Sequence, residues 1–569
     1  MKKILISLAV LLAGGFAYAQ NLNPVVEVTN NYAQEASGIE KPSQLLPLPD
    51  SVFKFNLDFD YSVHSTPYKG AYEFNPYLVQ MRPSQRLSPE QKLYLRVGAG
   101  YRFHPELDVV WNPVRKQNFR VDVYAGHQSY MGRYRSIVEK DAYFVSDGNL
   151  PGGGVNARST AGANLFYAWG SGTVTAYASY QNTLASDLYN NHVENSAYPT
   201  SIHHKGQFQA RVKANPGAEF QYNLGTRVAY LGNGTNEEFH TVSDLLLGKQ
   251  AGRGFLSVKT GVETVNIPGT WACKLDVAPH YRFSRRKLLI DLGFKYSYLF
   301  QSDTRLYAYQ QGVSGDGSLF PDIAISYPLS EQAVLQASVT GGSQISSYDS
   351  LLEENPYLDS FNWYRNITVE RVHVSGGVHG SVKGRFSYDA RIGYKWLDNA
   401  YSWSYLLNYP NGTAYGPALS YPYWEAILYP QMCYVSPLHV FYGTLKLGWK
   451  SEAWDVAAKA YYGYTPMPTL ETEIEKNVFA PAPFNAQGHV FYNWMGRIKG
   501  GVTVDACSKR AGKVAVPAYQ DLGLYGEYSF GRGKSAWLKV GNLLNQAIQR
   551  IPFYAEGGLY ATAGVTLVF

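Results

Sequence analysis

Alternation of apolar and polar residues with a period of two is the feature that most constrains the fold of this chain. In Phe53–Tyr61 every odd position is aromatic or leucine, and every even position is lysine, asparagine or aspartate. Similar alternation recurs in Leu93–Phe103, Leu288–Phe300, Phe386–Trp396 and Trp454–Tyr464. Because successive side chains of a β-strand point to opposite faces, each segment has one apolar and one mainly polar face. The alternation predicts an all-β protein.

The length of these segments favours a membrane barrel over a soluble sandwich. Many run for ten residues or more, whereas soluble strands are mostly about 5–6 residues long and tilted membrane strands need about 9–11. Aromatic residues lie near the ends of apolar faces, as Tyr296, Tyr298 and Phe300 do, where a membrane interface is expected. The 48 tyrosines, 54 glycines and 17% charged residues also fit a barrel, since globular proteins average about 25% charge.

The number of such segments predicts a transmembrane antiparallel β-barrel of about 22 strands, within about 16–24, because bacterial single-chain barrels have even strand numbers. Between some segments lie long polar or aromatic stretches. Periplasmic turns are short, so these stretches are predicted to be extracellular loops. They lie near residues 130–157, 186–206, 301–328, 343–368, 400–436 and 465–488.

The N-terminus has the pattern of a secretory signal peptide. Lys2 and Lys3 precede a short apolar run that ends at the small-residue cleavage site Ala17–Ala19. We therefore predict a signal peptide over 1–19, a periplasmic tail over 20–51 and the barrel over 52–569, located in the outer membrane of a Gram-negative bacterium after cleavage. The formal net charge of +6 is a mild excess that gives no reason to expect nucleic acid binding.

The charged residues of the polar faces are predicted to point into the lumen, because a charge facing lipid at mid-bilayer costs about 2–4 kcal/mol. They form either an ion-pair network that braces the wall or the lining of a hydrated channel for anionic or polar solutes. A barrel of this width cannot be filled by its own side chains, so water, loops, the N-terminal tail or a partner protein must occupy it. The predicted lumen-facing residues are Asp58, Asp60, Arg96, Arg102, Arg120, Asp122, Asp291, Lys295, Asp389, Arg391, Lys395, Lys446, Lys450, Asp455 and Lys459.

No residue pattern indicates catalysis, a cofactor or a metal site. His203 and His204 fall in a predicted loop, where paired histidines are usually solvated. His373 and His379 share a polar face but lie roughly 20 Å apart along a strand, too far to bind one metal. The cysteines Cys273, Cys433 and Cys507 show no metal-ligand spacing; one disulfide or free thiols fit them.

The C-terminal residues carry a resemblance to a known family. The final alternating strand includes Tyr560, Val565 and Leu567 and ends at Phe569, which resembles the assembly signal of outer-membrane barrels. Upstream, Val540–Asn545 and Pro552–Tyr554 resemble the end of TonB-dependent receptors, where an N-L-x-N-type turn precedes the last strand. The stretch Asn355–Leu358, with Arg365 and Asn366 after it, is similar to receptor-like barrels of the Bacteroidetes.

This resemblance implies partners and also a departure from the family. The last strand would be recognised by the barrel-assembly machinery, and outer-membrane lipid would surround the barrel. Family members carry a plug domain before the first strand, and residues 20–51 are too few to form one, so coupling to TonB is in doubt. Val25–Thr29 faintly resembles a TonB box, although an ordinary β-prone stretch in a tail also fits.

Two functions follow from these observations. The first is transport or uptake of a polar solute across the outer membrane, based on the resemblance and the charged lumen. The alternative is a plug-less accessory barrel in a multi-protein outer-membrane assembly or export complex, based on the missing plug and the Tyr-rich loops. A barrel enzyme ranks well behind both, and the chain is predicted not to be an enzyme.

Overall fold

The computed structural model describes residues 92–101, 104–132, 154–186, 200–215, 217–233, 237–301, 317–354, 367–408, 427–466, 481–511, 516–550 and 558–569. Within these ranges the chain is almost entirely β-strand. The strands of the N-terminal half are β1 Leu93–Tyr101, β2 Glu106–Arg115, β3 Phe119–Gly132, β4 Gly154–Trp169, β5 Gly172–Ser186, β6 Thr200–Ala214, β7 Phe220–Gly232, β8 Glu237–Ala251, β9 Gly254–Ile267, β10 Thr270–Arg285, β11 Leu288–Gln301 and β12 Ser318–Ser330.

The C-terminal half continues the same pattern and contains a short helix, α1, at Tyr348–Glu354. Its strands are β13 Ala333–Ile345, β14 Ile367–Val382, β15 Phe386–Asp398, β16 Ala400–Asn408, β17 Ile427–Val435, β18 Leu438–Lys450, β19 Trp454–Tyr464, β20 Phe484–Trp494, β21 Ile498–Cys507, β22 Tyr519–Gly531, β23 Lys534–Gly541 and β24 Tyr560–Val568.

Of the described strands, 22 form one closed antiparallel sheet. Each pairs with its neighbours in sequence, except that β15 pairs directly with β18 because β16 and β17 form a separate hairpin. The ring closes where β1 pairs with both β2 and β24, through Tyr94 opposite Val568. The predicted all-β barrel and its predicted number of strands are confirmed.

The predicted signal peptide, the tail and the segment Phe53–Tyr61 lie outside the described residues. So do Asp58 and Asp60, which were assigned to that segment. Because both edges of β1 are already paired, the ring closes without a strand from this part of the chain.

The two faces of the barrel differ as the alternation predicts. Large apolar side chains are exposed on the outside, among them Phe294 (50% exposed), Ile392 (73%) and Tyr462 (59%). Burying such side chains in lipid is favourable, so these residues form the membrane-facing band. The alternating positions face the lumen and carry most of the polar and charged side chains.

The connections at the two ends of the barrel differ in length. Every second connection, starting with residues 116–118 and 170–171, is a tight turn, and both Leu93 and Phe569 lie at this end. The strands that flank each predicted long loop meet that loop at the other end of the barrel, which is extracellular by this asymmetry. Several are shorter than predicted because the strands extend into them. His203 and His204 lie in β6 rather than in a loop.

Helices contribute little to the architecture. In the ranges that the structure describes, no helix has the length and apolar character needed to cross a membrane.

Candidate functional site in the lumen

The lumen-facing side of the sheet can be followed from strand to strand by its register. Arg96 of β1 lies opposite Asp108, and this row continues through Gly126, Thr160 and Gln181 to Lys205 of β6. Lys205 contacts Asp349 of α1, which lies inside the extracellular mouth of the barrel. This contact identifies the row as the inner one.

The described members of the predicted lumen-facing set all stand on the inner face. They alternate with exposed apolar residues of the same strand or of its paired strand. These are Arg96, Arg120, Asp122, Asp291, Lys295, Asp389, Arg391, Lys395, Lys446, Lys450, Asp455 and Lys459. Arg102 lies outside the described residues. Arg96 is only 2% exposed because its guanidinium packs 3.9 Å from the ring of Trp537 and donates to the hydroxyl of Tyr525, so its role is structural.

One stretch of the inner surface is dense in paired charges, and we call it the acidic wall. It consists of the inner faces of β8 to β12, where carboxylates outnumber cations. Its carboxylates are Glu238, Asp244, Glu263, Asp276, Asp291 and Asp322, and its cations are Lys259, Lys274, Arg282 and Lys295, with His240 and His280 among them.

The charges of the acidic wall form short contacts with groups of opposite charge. Lys274 lies 2.8 Å from Glu263 and 3.7 Å from Asp276, and it also donates to the carbonyl of Ser343. Asp291 accepts from Arg282 at 2.8 Å. The ring of His280 lies 3.0 Å from Asp291 and 3.1 Å from Asp322. Contacts of this kind are those expected of a bracing network, one of the two predicted roles, and the role itself stays a prediction.

A second stretch has the opposite balance, and we call it the basic wall. It consists of the inner faces of β15, β18 and β19, with the cations Arg391, Lys395, Lys446, Lys450 and Lys459 and the carboxylates Asp389 and Asp455. Arg391 contacts Asp389 at 2.8 Å, and His489 lies 3.4 Å from Asp455. Lys446 and Lys459 are direct cross-strand partners, and both are exposed to the lumen.

Helix α1 closes part of the extracellular mouth. Ser347 begins the helix as its N-cap, and its hydroxyl accepts from the backbone N–H of Ser350 at 3.2 Å. The segment leaves β13 but docks on β6, β7 and β8, several strands away around the ring. Asp349 binds both Lys205 and Arg227, the latter at 2.9 Å.

A buried carboxylate and an apolar cluster hold the helix in place. Glu238, 1% exposed, accepts from the backbone N–H groups of Tyr348 (2.8 Å) and Asp349 (3.3 Å). Tyr348 and Leu351 belong to a buried cluster that reaches the opposite side of the mouth. Its other members are Leu231, Leu397, Ala400, Tyr401, Val435, Leu438 and Val440. The helix therefore links β7 to the β15–β18 region.

The environment of Asp349 favours its charged form. Burial raises the pKa of this carboxyl, but Lys205 and Arg227 lower it, and the balance places the pKa below its usual value. The carboxyl group of Asp349 is thus ionised at neutral pH.

The connection after β23 also folds inward. Asn542 and Asn545 both adopt positive φ angles (46° and 49°), a conformation that asparagine tolerates. The Asn542 side chain accepts from the N–H of Gln546 (2.9 Å) and donates to its carbonyl (2.8 Å). This turn lies where the resemblance implies, directly after the penultimate strand. Arg550, further along, reaches the carboxylates of Asp505 and Asp521 on the inner wall.

The predicted assembly signal occupies the closing strand. Val565 and Phe569 lie on the outer face, 38% and 58% exposed, whereas Tyr560 faces inward and stacks on His104 at 4.2 Å. Leu567 lies opposite Leu95 of β1. Recognition of this strand by the assembly machinery stays a prediction.

No metal site is found in the part of the chain that the structure describes. No group of three or more His, Cys, Asp or Glu side chains there is arranged to hold a metal ion. Cys273 and Cys507 are free thiols. His373 donates to or accepts from the hydroxyl of Tyr442 at 2.7 Å, well apart from His379 on the same strand.

The sequence analysis did not identify the residues that hold α1 in place. It also did not identify most charged residues of the acidic wall. Lys274, Glu263 and His280 alternate with apolar residues in β9 and β10, so the period-two pattern could have found them. Asp349 and Glu238 could not be found in this way. Their roles depend on where a loop segment folds back, which strand alternation does not encode.

Comparison with solved structures shows which barrels this one resembles. The ferric enterobactin receptor PfeA of Pseudomonas aeruginosa superimposes with a TM-score of 0.56 at 11% identity, covering 85% of this chain and 81% of that one. The FrpB iron transporter of Neisseria meningitidis gives 0.58 at 9% identity (85% and 82% covered). The siderophore receptor PiuA of Acinetobacter baumannii gives 0.57 at 10% identity (85% and 82%). The chain has the barrel fold of TonB-dependent receptors. No protein-family model and no curated protein matches its sequence.

This likeness bears on several of the sequence-based predictions. The matched proteins are receptors and a transporter rather than enzymes, which agrees with the prediction that the chain is not an enzyme. The fold also supports the outer-membrane location. The doubt about TonB coupling is not confirmed by the likeness, and a specific relation to barrels of the Bacteroidetes is not shown.

Proposed function

We propose that the protein is an outer-membrane uptake barrel for polar solutes, with α1 as an obstruction that must move for passage. The observation that carries this proposal is a closed ring of 22 strands with a charged inner face, crossed at its extracellular mouth by α1. Such a ring is too wide for its own side chains to fill. A hydrated path is therefore expected beneath the helix.

The docking of α1 favours a movable element over a fixed one. Its hold on β6–β8 depends on charged and polar contacts, chiefly those of Asp349 and Glu238. Contacts of this kind can be exchanged for contacts with water or with a solute. The apolar contacts of Leu351 and Tyr348 limit how far the helix moves when they are lost.

The test is the ionic conductance of the full-length protein in a planar bilayer. We expect the wild type to conduct weakly and the variant D349N to conduct several-fold more, because the amide loses the attraction to Lys205 and Arg227. A matched control is D244N, which removes a lumen-facing carboxylate that pairs with Arg211 at 3.0 Å and does not contact α1. Equal conductance of all three proteins contradicts the role of α1, and silence in conductance and liposome swelling contradicts uptake.

A structural barrel in a multi-protein assembly is the second candidate. The observation that favours it is that α1 and the connection bearing Arg550 both occupy lumen space, which a scaffold tolerates better than a channel does. Extraction in mild detergent, followed by mass spectrometry of co-purifying proteins, separates the two. A stoichiometric partner together with a non-conducting D349N variant would favour the scaffold.

A further inference from the structure

The tight turns at the periplasmic end of the barrel carry an excess of positive charge. Within the described ranges, the ten turns at this end contain eight lysines or arginines and three glutamates, and all of these residues are exposed. The densest are the β10–β11 turn, with Arg286 and Lys287, and the β14–β15 turn, with Lys383 and Arg385. The turns therefore form a positively charged surface at the periplasmic edge of the barrel.

The cations are spread around the ring rather than gathered on one side. We call the eight together the basic rim. Its other four members stand one each in the turns β2–β3, β8–β9, β20–β21 and β22–β23 and are Lys116, Arg253, Arg497 and Arg532. The glutamates occupy other turns, and one of them, Glu219, is paired with Lys249 at 3.1 Å. A protein partner docks on one contiguous patch, whereas lipid headgroups surround a barrel on all sides, so this distribution favours lipid.

Exposed aromatic side chains on the outer face place the basic rim at the height of the lipid headgroups. Trp449 (48% exposed) lies opposite Phe386, the first residue after the β14–β15 turn. Trp494 (51% exposed) is the last residue of β20 and lies three positions before Arg497. Tryptophan concentrates at membrane–water interfaces. Cations a few residues beyond these rings, at about 3.3 Å per residue, therefore fall in the headgroup layer.

Two further cations stand on the outer face beside these turns. Arg285 lies opposite Leu288, and Lys534 lies opposite Leu567, each at the periplasmic end of its strand. A lipid-facing cation is costly at mid-bilayer but costs only about 0–1 kcal/mol near the interface. These two positions suit a cation that meets headgroups rather than acyl chains.

The conformation of the turns does not explain the choice of cations. Arg286 and Lys383 adopt positive φ angles of 56° and 51°. Asparagine, aspartate and glycine fit this conformation at lower cost and are preferred in two-residue hairpin turns. A long basic side chain at such a position points to a role for its charge.

We propose that the basic rim binds the anionic phosphodiester headgroups of phospholipids in the periplasmic leaflet of the outer membrane. Lysine and arginine beside a membrane are attracted by the negative surface potential of anionic lipid. Guanidinium groups also donate two parallel hydrogen bonds to phosphate oxygens. The proposal depends on the orientation of the barrel in the membrane and not on uptake.

The test is quenching of tryptophan fluorescence in phosphatidylcholine vesicles that contain equal amounts of either brominated phosphatidylglycerol or brominated phosphatidylcholine. Each protein is compared with its W449F counterpart, so that the difference reports on lipid beside the β14–β15 turn. We expect phosphatidylglycerol to be preferred about fivefold at low salt, as for one cation near an anionic surface. The preference should vanish near 1 M salt, where the Debye length is about 3 Å.

The double variant K383N/R385Q should lose this preference and keep the quenching by phosphatidylcholine. It should also fold, because asparagine tolerates a positive φ angle. The hydrogen bonds of Arg385 with Val382 and Lys450 involve only its backbone. Heat-modifiable migration on gels confirms that each barrel is folded.

The matched control R158Q/K213Q removes two exposed cations from the inner face, where Arg158 alternates with Thr160 and Lys213 with Lys205. It should keep the preference for phosphatidylglycerol. Equal quenching by the two lipids in the wild type, an unchanged preference in K383N/R385Q, or the same loss in the control overturns the proposal. An acidic protein that co-purifies with the wild type but not with K383N/R385Q, without any lipid preference, would assign the rim to a protein partner instead. Since no readout needs conduction, failure here is distinguished from failure of uptake.

Discussion

The acidic and basic walls have the same strand geometry but differ in how their lumen-facing charges are paired. On the acidic wall, cations and carboxylates are paired across strands: Lys274 contacts two carboxylates, and Asp291 contacts Arg282 and the ring of His280. On the basic wall, Lys446 faces Lys459. Breaking a buried ion pair is costly, whereas two like charges directly opposite each other in a sheet are destabilising. The two walls therefore differ in what a substitution should do.

The largest difference is expected when a lysine is removed from each wall. K274M leaves Glu263 and Asp276 without their ammonium partner, and breaking a buried pair in this way costs about 3–5 kcal/mol. K446M should change the free energy of unfolding by less than about 0.5 kcal/mol, as for most exposed positions. Equilibrium unfolding in detergent by guanidinium chloride measures both variants. Similar losses for the two would show that the walls are energetically alike.

The contact between α1 and the extracellular end of the acidic wall gives the next largest effect. E238A removes the acceptor of two backbone N–H groups at the start of α1, which should cost about 1–3 kcal/mol. Hydrogen exchange of the α1 amides should accelerate accordingly. The control E219A removes an exposed carboxylate that is 77% accessible and pairs with Lys249, and it should leave α1 exchange unchanged. Unaltered exchange in E238A would mean that the apolar cluster alone holds the helix.

On the basic wall, replacing repulsion by attraction should stabilise the barrel slightly. K459E turns the like-charge pair with Lys446 into an opposite-charge pair, worth about 0.2–1 kcal/mol in a sheet. Because the lysines are exposed, the gain should vanish near 1 M salt, where the Debye length is about 3 Å. Unfolding at low and high salt measures it. A gain that persists at high salt would place the pair in a more buried setting than the structure shows.

The sequence predicted the barrel well because strand alternation and membrane thickness are local constraints. Segments such as Leu288–Phe300 contain both faces of a strand, and the even strand number follows from closure of the ring. The lumen-facing position of Lys446 could be predicted in the same way. Its pairing with Lys459 could not, because register depends on how turns and bulges add up between strands. The docking of Asp349 on Lys205 could not be predicted either, since the two residues are distant in the chain and Asp349 lies in the connection between β13 and β14.

The smallest expected effect concerns pH and the ion pairs of Asp349. The folded pKa of this carboxyl lies below its ordinary value of 3.8. A carboxyl with a depressed pKa contributes stability that is fully present above the ordinary pKa and is lost as the pH falls through the folded one. Hydrogen exchange of α1, corrected for the intrinsic pH dependence of exchange, should therefore show constant protection between pH 7 and pH 5 and loosen only in the acid range below 3.8. D349N should remove the acid-range loosening at this site. Loosening between pH 7 and pH 5 in the wild type would show that a group other than Asp349 controls the docking of α1, and would make the mouth of the barrel sensitive to mild acid.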